Sequence, residues 1–417
     1  MSTGGAGWQA PPRTEEAAAI HAAAEADRRA RPERYRLDPE EVAAAAAGDE
    51  GTADFAPGWE TGLAAYLGSA EEDGRLSALG RRMVRAAATA RLRAGAALAR
   101  HLRAHPEVLD RPLLPPIVIV GGWRTGTTFL FRLLATDPRL RAPLPLELSA
   151  PLKVAGRTPA ERDAIVDAAA GTHELLHTLN PALRAIHDSG ARLPEECVLA
   201  LGTDLRSWGF PSTTRLDGYA AWLAGEDLGP GYERYRHQLQ LLDDQDGRRW
   251  VLKAPAHTAE LDRLVAAFPG AIVVHLHRDI VETVASGASL FATFRSTYSD
   301  EVDGADVGRF QADTTELWLR RAVTFREAPA AAAATWVDVA YPDLVAAPTA
   351  VLDRIWAAAD LDPVADPVAF VEAHHAAQPR HAHGAHRYSA ADFGLDAQDL
   401  RDRFAFYEAF AAERTAR

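Results

Sequence analysis

Short apolar runs bounded by glycine, proline or charged residues recur through the middle of the chain. Residues 113–120 (LLPPIVIV) end in four apolar, mostly β-branched residues immediately before a glycine pair. Such a run predicts a strand buried on both faces, as in a parallel sheet. Residues 127–135 follow with leucines at helical spacing, so the pattern predicts a helix that ends at Asp137 and Pro138.

The same strand–helix unit repeats later in the chain. We predict strands at residues 249–255, 271–277 and 335–339, each followed by a helix, at residues 259–268, 280–291 and 348–359. Strands that alternate with helices indicate an α/β fold with a parallel sheet flanked by helices. Ligands of such sheets bind at the carboxyl ends of the strands.

Two other regions are typical of helices. Residues 1–110 are charged and alanine-rich, with strong helix propensity at residues 76–105, and we predict a helical region that packs on the core. The α/β domain then occupies residues 111–417. Within it, residues 151–247 predict a mainly helical insert that shapes a substrate cleft. Aromatic residues of this insert suit either an apolar or sugar-bearing acceptor or the core: Trp208, Phe210, Tyr219 and Trp222.

Composition excludes several classes of protein. A hydrophobic content of 47% and a charged content of 25% are those of an ordinary globular protein. The net charge of −13 disfavours nucleic acid as a partner, so any anion site must be a local basic pocket.

No run approaches the roughly 18 apolar residues of a membrane helix. With one cysteine, Cys197, and no secretory signal, we expect a cytoplasmic protein without disulfides or integral membrane association.

The sequence GGWRTGTT at residues 121–128 nearly matches the phosphate-loop pattern G-x-x-x-x-G-K-S/T. Its glycines and final threonine have the right spacing, but Thr127 stands at the lysine position and the basic residue is Arg124. Peptide N–H groups at a helix N-terminus still favour an anion. We therefore expect an anion at these residues: Gly122, Trp123, Arg124, Thr125, Gly126, Thr127 and Thr128.

Two segments resemble the donor-binding elements of sulfotransferases that use 3′-phosphoadenylyl sulfate (PAPS). VGGWRTGTTFLFRLL is similar to the family's 5′-phosphosulfate loop, with Arg124 in the basic position. AIVVHLHRDIVETVASGASL resembles the 3′-phosphate site, where an arginine follows a strand and a serine lies eight residues on, here Arg278 and Ser286. WVLKAPAHTAELDRLVAAFP, RLPEECVLALG, VAYPDLVAAP and HRYSAADFGL extend the resemblance to the bacterial branch of the P-loop sulfotransferase superfamily.

This resemblance implies a P-loop-like fold and a reaction. The chain would move a sulfuryl group from PAPS to a hydroxyl or amine of a small-molecule, lipid or glycan acceptor, leaving adenosine 3′,5′-bisphosphate. No metal is expected, and a homo-oligomer is compatible with the sequence. The alternatives are a P-loop nucleotide kinase or other NTPase, which the missing lysine disfavours, and a non-catalytic nucleotide-binding protein.

Catalysis would need cations for the leaving oxygen and a base for the acceptor proton. Arg124 is the first cation, and Lys253, at the exit of a predicted strand, is the second, as the resemblance implies. We consider three bases in this order: His257, then Glu147, then Glu196 beside Glu195. Each has an ordinary structural alternative as a helix cap or an ion-pair partner.

The histidine-rich segment at residues 379–394 suggests a metal, but no carboxylate or cysteine completes a ligand set for His381, His383 and His386. We favour a loop that closes over the donor near its 3′-phosphate. Three residues would serve it: Arg387, Arg380 and the backbone of Gly384.

Overall fold

The first strand of the central sheet, β1 (Ile117–Gly121), is buried throughout. Val118 and Val120 belong to one hydrophobic cluster, whereas Ile117 and Ile119 belong to another. Successive side chains of a strand point to opposite faces, so the sheet has a core on each side. This is the arrangement that a continuous apolar run predicts.

The computed structural model describes residues 7–378 and 388–416. Within them lies a five-stranded parallel sheet with the strand order β2-β3-β1-β4-β5. The remaining strands are β2 (Leu140–Arg141), β3 (Arg249–Lys253), β4 (Ile272–His277) and β5 (Thr335–Ala340). Because every pairing is parallel, the carboxyl ends of β3, β1 and β4 meet at one edge of the sheet.

The helices of the described residues are α1 (Glu15–Ala30), α2 (Pro39–Ala47), α3 (Trp59–Glu72), α4 (Ala78–Ala104), α5 (Thr127–Leu134), α6 (Pro145–Ser149), α7 (Pro159–Ala168), α8 (Ala170–Leu179), α9 (Leu183–Ile186), α10 (Phe210–Thr213), α11 (Asp217–Leu223), α12 (Gly229–Leu242), α13 (Leu261–Ala267), α14 (Ile280–Tyr298), α15 (Gly304–Glu327), α16 (Tyr341–Ala346), α17 (Pro348–Ala358), α18 (Pro367–Ala377), α19 (Ala397–Arg403) and α20 (Ala405–Thr415). Short 3₁₀ helices occupy Pro32–Tyr35, Gly48–Glu50, Pro106–Val108, Pro151–Lys153, Cys197–Leu199, Pro255–Glu260, Pro329–Ala333 and Ala390–Phe393.

Different helices cover the two faces of the sheet. The face of Val118 packs in one cluster with apolar residues of α3, α4, α11 and α12. The opposite face, with Ile119, packs against α5 and α17, including the fully buried Trp356. The amino-terminal helices therefore share a core with the sheet. The division of the chain into an amino-terminal region, an α/β domain and an insert stays a prediction.

The α/β fold with a parallel sheet is confirmed, and three details differ from the sequence prediction. The helix expected at residues 259–268 is present as α13 but begins two residues later, because a 3₁₀ helix, Pro255–Glu260, precedes it and packs against β1 and α15. Helix α14 runs on to Tyr298. Strand β2 was not predicted, because its two residues are too few to show a periodicity.

Among the described residues, no helix combines the length and apolarity needed to cross a lipid bilayer.

Candidate active site

The turn between β1 and α5, the phosphate loop, contains three residues with positive φ angles. These are Gly121 at 139°, Arg124 at 60° and Gly126 at 92°. Gly126 is the N-cap of α5, where the left-handed conformation suits glycine. For Arg124 the same conformation is unfavourable, and such strain is typical of ligand-binding loops. The Thr125 hydroxyl donates to the carbonyl of Gly122 at 2.8 Å and closes the turn.

Gly122 brings the phosphate loop against the start of α14. A Cβ atom at this position would lie 2.3 Å from Cγ2 of Thr283, closer than side-chain contacts allow. A larger residue would therefore push the loop away from α14, which carries Ser286 and begins two residues after Arg278.

The Trp123 ring faces the core. It stacks on Trp318 with ring centroids 5.2 Å apart and meets Phe291 edge-on at 5.3 Å. Trp123 is 8% exposed, so its indole anchors the phosphate loop in the core. Only the backbone of Trp123 lines the turn. Thr127, the residue at the lysine position, is also buried.

Arg278 connects the two predicted donor elements. Its guanidinium donates to the carbonyl of Arg124 at 2.5 Å, pairs with Glu282 and lies 4.2 Å above the Tyr341 ring. The Arg278 side chain keeps 19% of its surface exposed, whereas Ser286, farther along α14, is 3% exposed. The arginine thus lies directly beside the phosphate loop, although the two are 154 positions apart in sequence.

Lys253 is a buried lysine at the carboxyl end of β3. It pairs with Ile119 of β1 in the sheet and is 2% exposed. Its ammonium group lies 2.6 Å from Oε1 of Glu196 and 3.4 Å from the hydroxyl of Thr128. A buried lysine needs an anionic partner. Glu196 supplies one, and the cation consequently lies beside the first turn of α5.

A second carboxylate and a histidine extend this ion pair. Oε2 of Glu195 lies 3.4 Å from Nε2 of His187, and Oε1 accepts the backbone N–H of Glu196. Burial opposes ionisation of Glu195, but His187 and Lys253 outweigh it and lower its pKa to about 2. Burial likewise lowers the pKa of His187, yet the two carboxylates outweigh this effect and leave it above its usual value. The four side chains form an alternating charge network.

His257, the first base candidate, is completely buried. Its Nδ1 lies 2.8 Å from the hydroxyl of Tyr232, and among the described residues its Nε2 has no hydrogen-bond partner. Burial lowers the pKa of His257 to about 3. The imidazole is therefore neutral near pH 7 and a weak base.

Glu147, the second candidate, has both carboxylate oxygens engaged. Oε1 accepts from the guanidinium of Arg141 at 2.7 Å, and Oε2 accepts the backbone N–H of Leu144 at 2.9 Å, at the start of α6. Glu147 is 6% exposed. These contacts suit a helix cap and a buried ion pair, and Glu147 does not join the network around Lys253.

Arg387 and the histidines His381, His383 and His386 lie outside the described residues, as do Arg380 and Gly384. The aromatic residues for which the sequence left either the cleft or the core open belong to the core. Trp208, Phe210 and Tyr219 are buried, and Trp222 packs against the same cluster.

A separate histidine cluster has the spacing of a metal site. The ligand atoms of His275, His277 and Asp338 lie within 4.8 Å of one another. However, Arg326 donates to both oxygens of Asp338 at 2.9 and 2.8 Å, so the carboxylate already has the arginine as its cationic partner. Burial opposes ionisation, but the hydrogen bonds from His277 and Arg326 outweigh it, and the pKa of Asp338 is well below its usual range. This arrangement joins β4 to β5.

The described geometry defines a class of protein: a parallel α/β sheet with a glycine-containing loop between β1 and α5 and a buried lysine supplied by the adjacent strand. The sequence profile of the sulfotransferase family matches residues 115–366. The chain therefore belongs to the sulfotransferase family.

Two solved structures are similar over nearly the whole chain. The crystal structure of sulfotransferase STF1 from Mycobacterium tuberculosis has a TM-score of 0.75 and 30% identity, covering 88% of this chain and 98% of that one. For sulfotransferase STF9 from Mycobacterium avium the TM-score is 0.77 and the identity 26%, with 89% and 96% covered.

A curated relative is similar over a shorter stretch. Omega-hydroxy-beta-dihydromenaquinone-9 sulfotransferase Stf3 from Mycobacterium bovis is 29% identical over 175 residues, which is 40% of this chain. The chain spans 42% of the length of that relative.

The sequence prediction missed His187 and gave Glu195 no role of its own. No spacing rule connects His187 with Lys253, since loops of the helical insert bring them together. One signal was available for Lys253: the chain has only one other lysine, Lys153, among many arginines. A lysine at the end of an apolar run, in a chain with so few lysines, is a candidate for a specific role.

Proposed function

We propose that this chain transfers a sulfuryl group from PAPS to a hydroxyl group of a small-molecule acceptor and releases adenosine 3′,5′-bisphosphate. Membership of the sulfotransferase family supports the reaction class. One observation carries the proposal for the site: the ammonium group of Lys253 lies between Thr128 of the phosphate loop and Glu196 of the helical insert. This is where a leaving oxygen and an attacking hydroxyl would meet.

The donor elements fit a nucleotide with phosphates at both ends. The phosphate loop offers backbone N–H groups and threonine hydroxyls at the N-terminus of α5, which suit the 5′-phosphosulfate. Arg278 and Ser286 would hold the 3′-phosphate, and a guanidinium is well suited to a phosphate. Because Arg278 contacts the carbonyl of Arg124, the phosphate loop and the proposed 3′-phosphate site belong to one continuous surface.

Lys253 compensates for the missing loop lysine. A standard phosphate loop carries its lysine on the helix, whereas here the cation enters from β3, the strand beside β1. During transfer, an acceptor oxygen forms a bond to sulfur while the bond between sulfur and the bridging oxygen breaks. The electron pair of that bond goes to the 5′-phosphate, and Lys253 stabilises its charge.

The acceptor proton would go to Glu196. Its carboxylate is part exposed, whereas His257 is completely buried and Glu147 is held by Arg141. Complete burial both lowers the pKa of His257 to about 3 and leaves its imidazole without a surface that an acceptor could contact. His187 and Glu195 would then hold the segment that carries Glu196.

Thermal unfolding with nucleotides tests the donor assignment. A ligand at a hundred times its Kd stabilises the native state by about 2.7 kcal/mol. We expect adenosine 3′,5′-bisphosphate to raise Tm clearly and ATP with Mg²⁺ to raise it little. The opposite order would support the NTPase alternative.

Transfer itself is tested with radiolabelled PAPS and a panel of alcohols, phenols and glycans. The name of the relative Stf3 gives a hydroxylated menaquinone as its acceptor, so apolar alcohols are the first group to include. Incorporation of label into one of these classes supports the proposal. Tight nucleotide binding without transfer to any of them would favour the non-catalytic alternative.

A further inference from the structure

We propose that a groove between α4 and residues 149–153 binds a single anionic amphiphile, a molecule with an apolar chain and a sulfate, phosphate or carboxylate group. The groove has a volume of about 810 Å³, within the range of small-molecule pockets. Its basic lining residues are Arg34, Arg82, Arg85, Arg93 and Lys153, and its other lining residues are uncharged.

The floor of the groove is one face of α4. Ala86, Ala90, Ala94 and Ala97 recur every three or four positions, so their methyl groups form a shallow apolar strip. The opposite face of α4 contains Val84, Ala88 and Leu92, which are completely buried in the core. Leu152 and Pro151 line the facing wall. Such a strip can accept a hydrocarbon chain.

The rim of the groove carries unpaired positive charge. Arg34, Arg82 and Lys153 are exposed, and among the described residues their side chains have no hydrogen-bond or ion-pair partner. Arg85 is partly neutralised by Glu41, 3.2 Å away. No carboxylate lines the groove within the described part of the chain.

This local charge is unusual for the protein. The chain as a whole has a net charge of −13, so a basic groove is a specific exception to a surface that repels anions. Cations above an apolar floor fit a ligand that is charged at one end and apolar along its length. The concave shape favours one molecule over a flat lipid surface.

The floor and the facing wall of the groove both border the segment that carries Glu196. Arg91 of α4 donates to the carbonyls of Val198 at 3.1 Å and of Leu199. On the other side, α6 packs against Cys197–Leu199 and leads directly into residues 149–153. Binding in the groove does not require the proposed transfer reaction, so the two proposals can fail separately.

Isothermal titration with a lysolipid below its critical micelle concentration tests the proposal. The probe is lysophosphatidylglycerol; lysophosphatidylcholine of the same chain length tests the charge, and glycerol 3-phosphate tests the chain. We expect the anionic lysolipid to bind at least tenfold more tightly than either comparison compound.

Two variants separate the charge from the floor. Arg82→Glu with Lys153→Glu reverses the rim and should weaken binding at least tenfold. Ala90→Phe, at an exposed position of α4, fills the floor of the groove. It should weaken binding of the lysolipid and leave the affinity for glycerol 3-phosphate unchanged. Arg309→Glu with Arg320→Glu is the matched control, because these exposed side chains lie on α15 and carry the same change of charge.

Circular dichroism melting of each variant establishes that it is folded. Equal Kd values for the two lysolipids, or unchanged affinity in the rim variant, would overturn the proposal. Binding to vesicles of phosphatidylglycerol without binding of the monomeric lysolipid would also overturn it, because that result identifies a bilayer surface as the partner.

Discussion

The proposed donor side and the proposed acceptor side of the candidate site are built in different ways. On the donor side, the phosphate loop, Lys253 and Arg278 follow the ends of three adjacent strands, β1, β3 and β4. On the acceptor side, Glu195, Glu196 and His187 lie in loops and short turns of the helical insert. The donor side is therefore fixed by the sheet, whereas the acceptor side depends on a network of charges. The following predictions test this difference.

The largest effect is expected for Lys253→Ala, which removes the charge where the two sides meet. We expect kcat to fall by about a hundredfold or more, since the leaving oxygen loses its buried cation. Steady-state kinetics with saturating PAPS measure this change. Arg309→Ala on α15 is the control and should have normal kcat. Nearly normal turnover in Lys253→Ala would remove this lysine from the mechanism.

Arg278→Ala tests the donor side alone. Loss of a charged hydrogen bond worth roughly 1.5–3 kcal/mol should lower the affinity for adenosine 3′,5′-bisphosphate about ten- to a hundredfold. Isothermal titration gives the Kd directly. Arg401→Ala is a matched control, because that exposed arginine pairs with the neighbouring Asp279. Equal affinity in wild type and Arg278→Ala would place the 3′-phosphate elsewhere.

Gly122→Ala tests how tightly the sheet fixes the phosphate loop. The new methyl group would meet Cγ2 of Thr283 at 2.3 Å, so we expect about a tenfold loss of nucleotide affinity. Thr283→Ser removes that methyl group and keeps the hydroxyl that donates to Asp279. The double variant should recover most of the affinity. If it binds as weakly as Gly122→Ala, the contact with α14 does not explain the glycine.

The smallest effect is expected on the acceptor side, in the pH dependence of stability. Glu195 has a lowered pKa, so its contribution is complete above about pH 4.5 and is lost as the pH falls toward 2. The pKa of His187 is raised, so its contribution is complete below about pH 6.5 and is lost as the pH rises through its folded value. The pair stabilises most between these limits.

His187→Asn should therefore lower Tm more at about pH 5.5 than at about pH 9. His237→Asn is a control of opposite sign, because burial lowers the pKa of His237 and acid then disfavours the native state. A His187→Asn difference that is the same at both pH values would show that the ion pair contributes nothing.

The sequence by itself determined the α/β fold, most of the sheet and the positions of the proposed donor elements along the chain. Runs of β-branched residues between glycine, proline and charged residues predicted β1, β3, β4 and β5 to within a few residues. This is possible because strand propensity and burial on both faces depend on the residues of the strand itself. The phosphate loop was also visible, since glycines at fixed spacing are required by its backbone. Only β2, with two residues, left no pattern.

Tertiary structure alone decided which charged residues meet. Glu196 and Lys253 are 57 positions apart and pair because the insert folds back over the end of β3. The insert also brings Tyr232 to His257, 25 positions away, a contact that spacing could not distinguish from a catalytic one. Glu147 instead finds its partner nearby, because Arg141 lies only six positions earlier. Backbone conformation depends mainly on neighbouring residues, but the partner of a buried charge depends on whichever distant segment covers it.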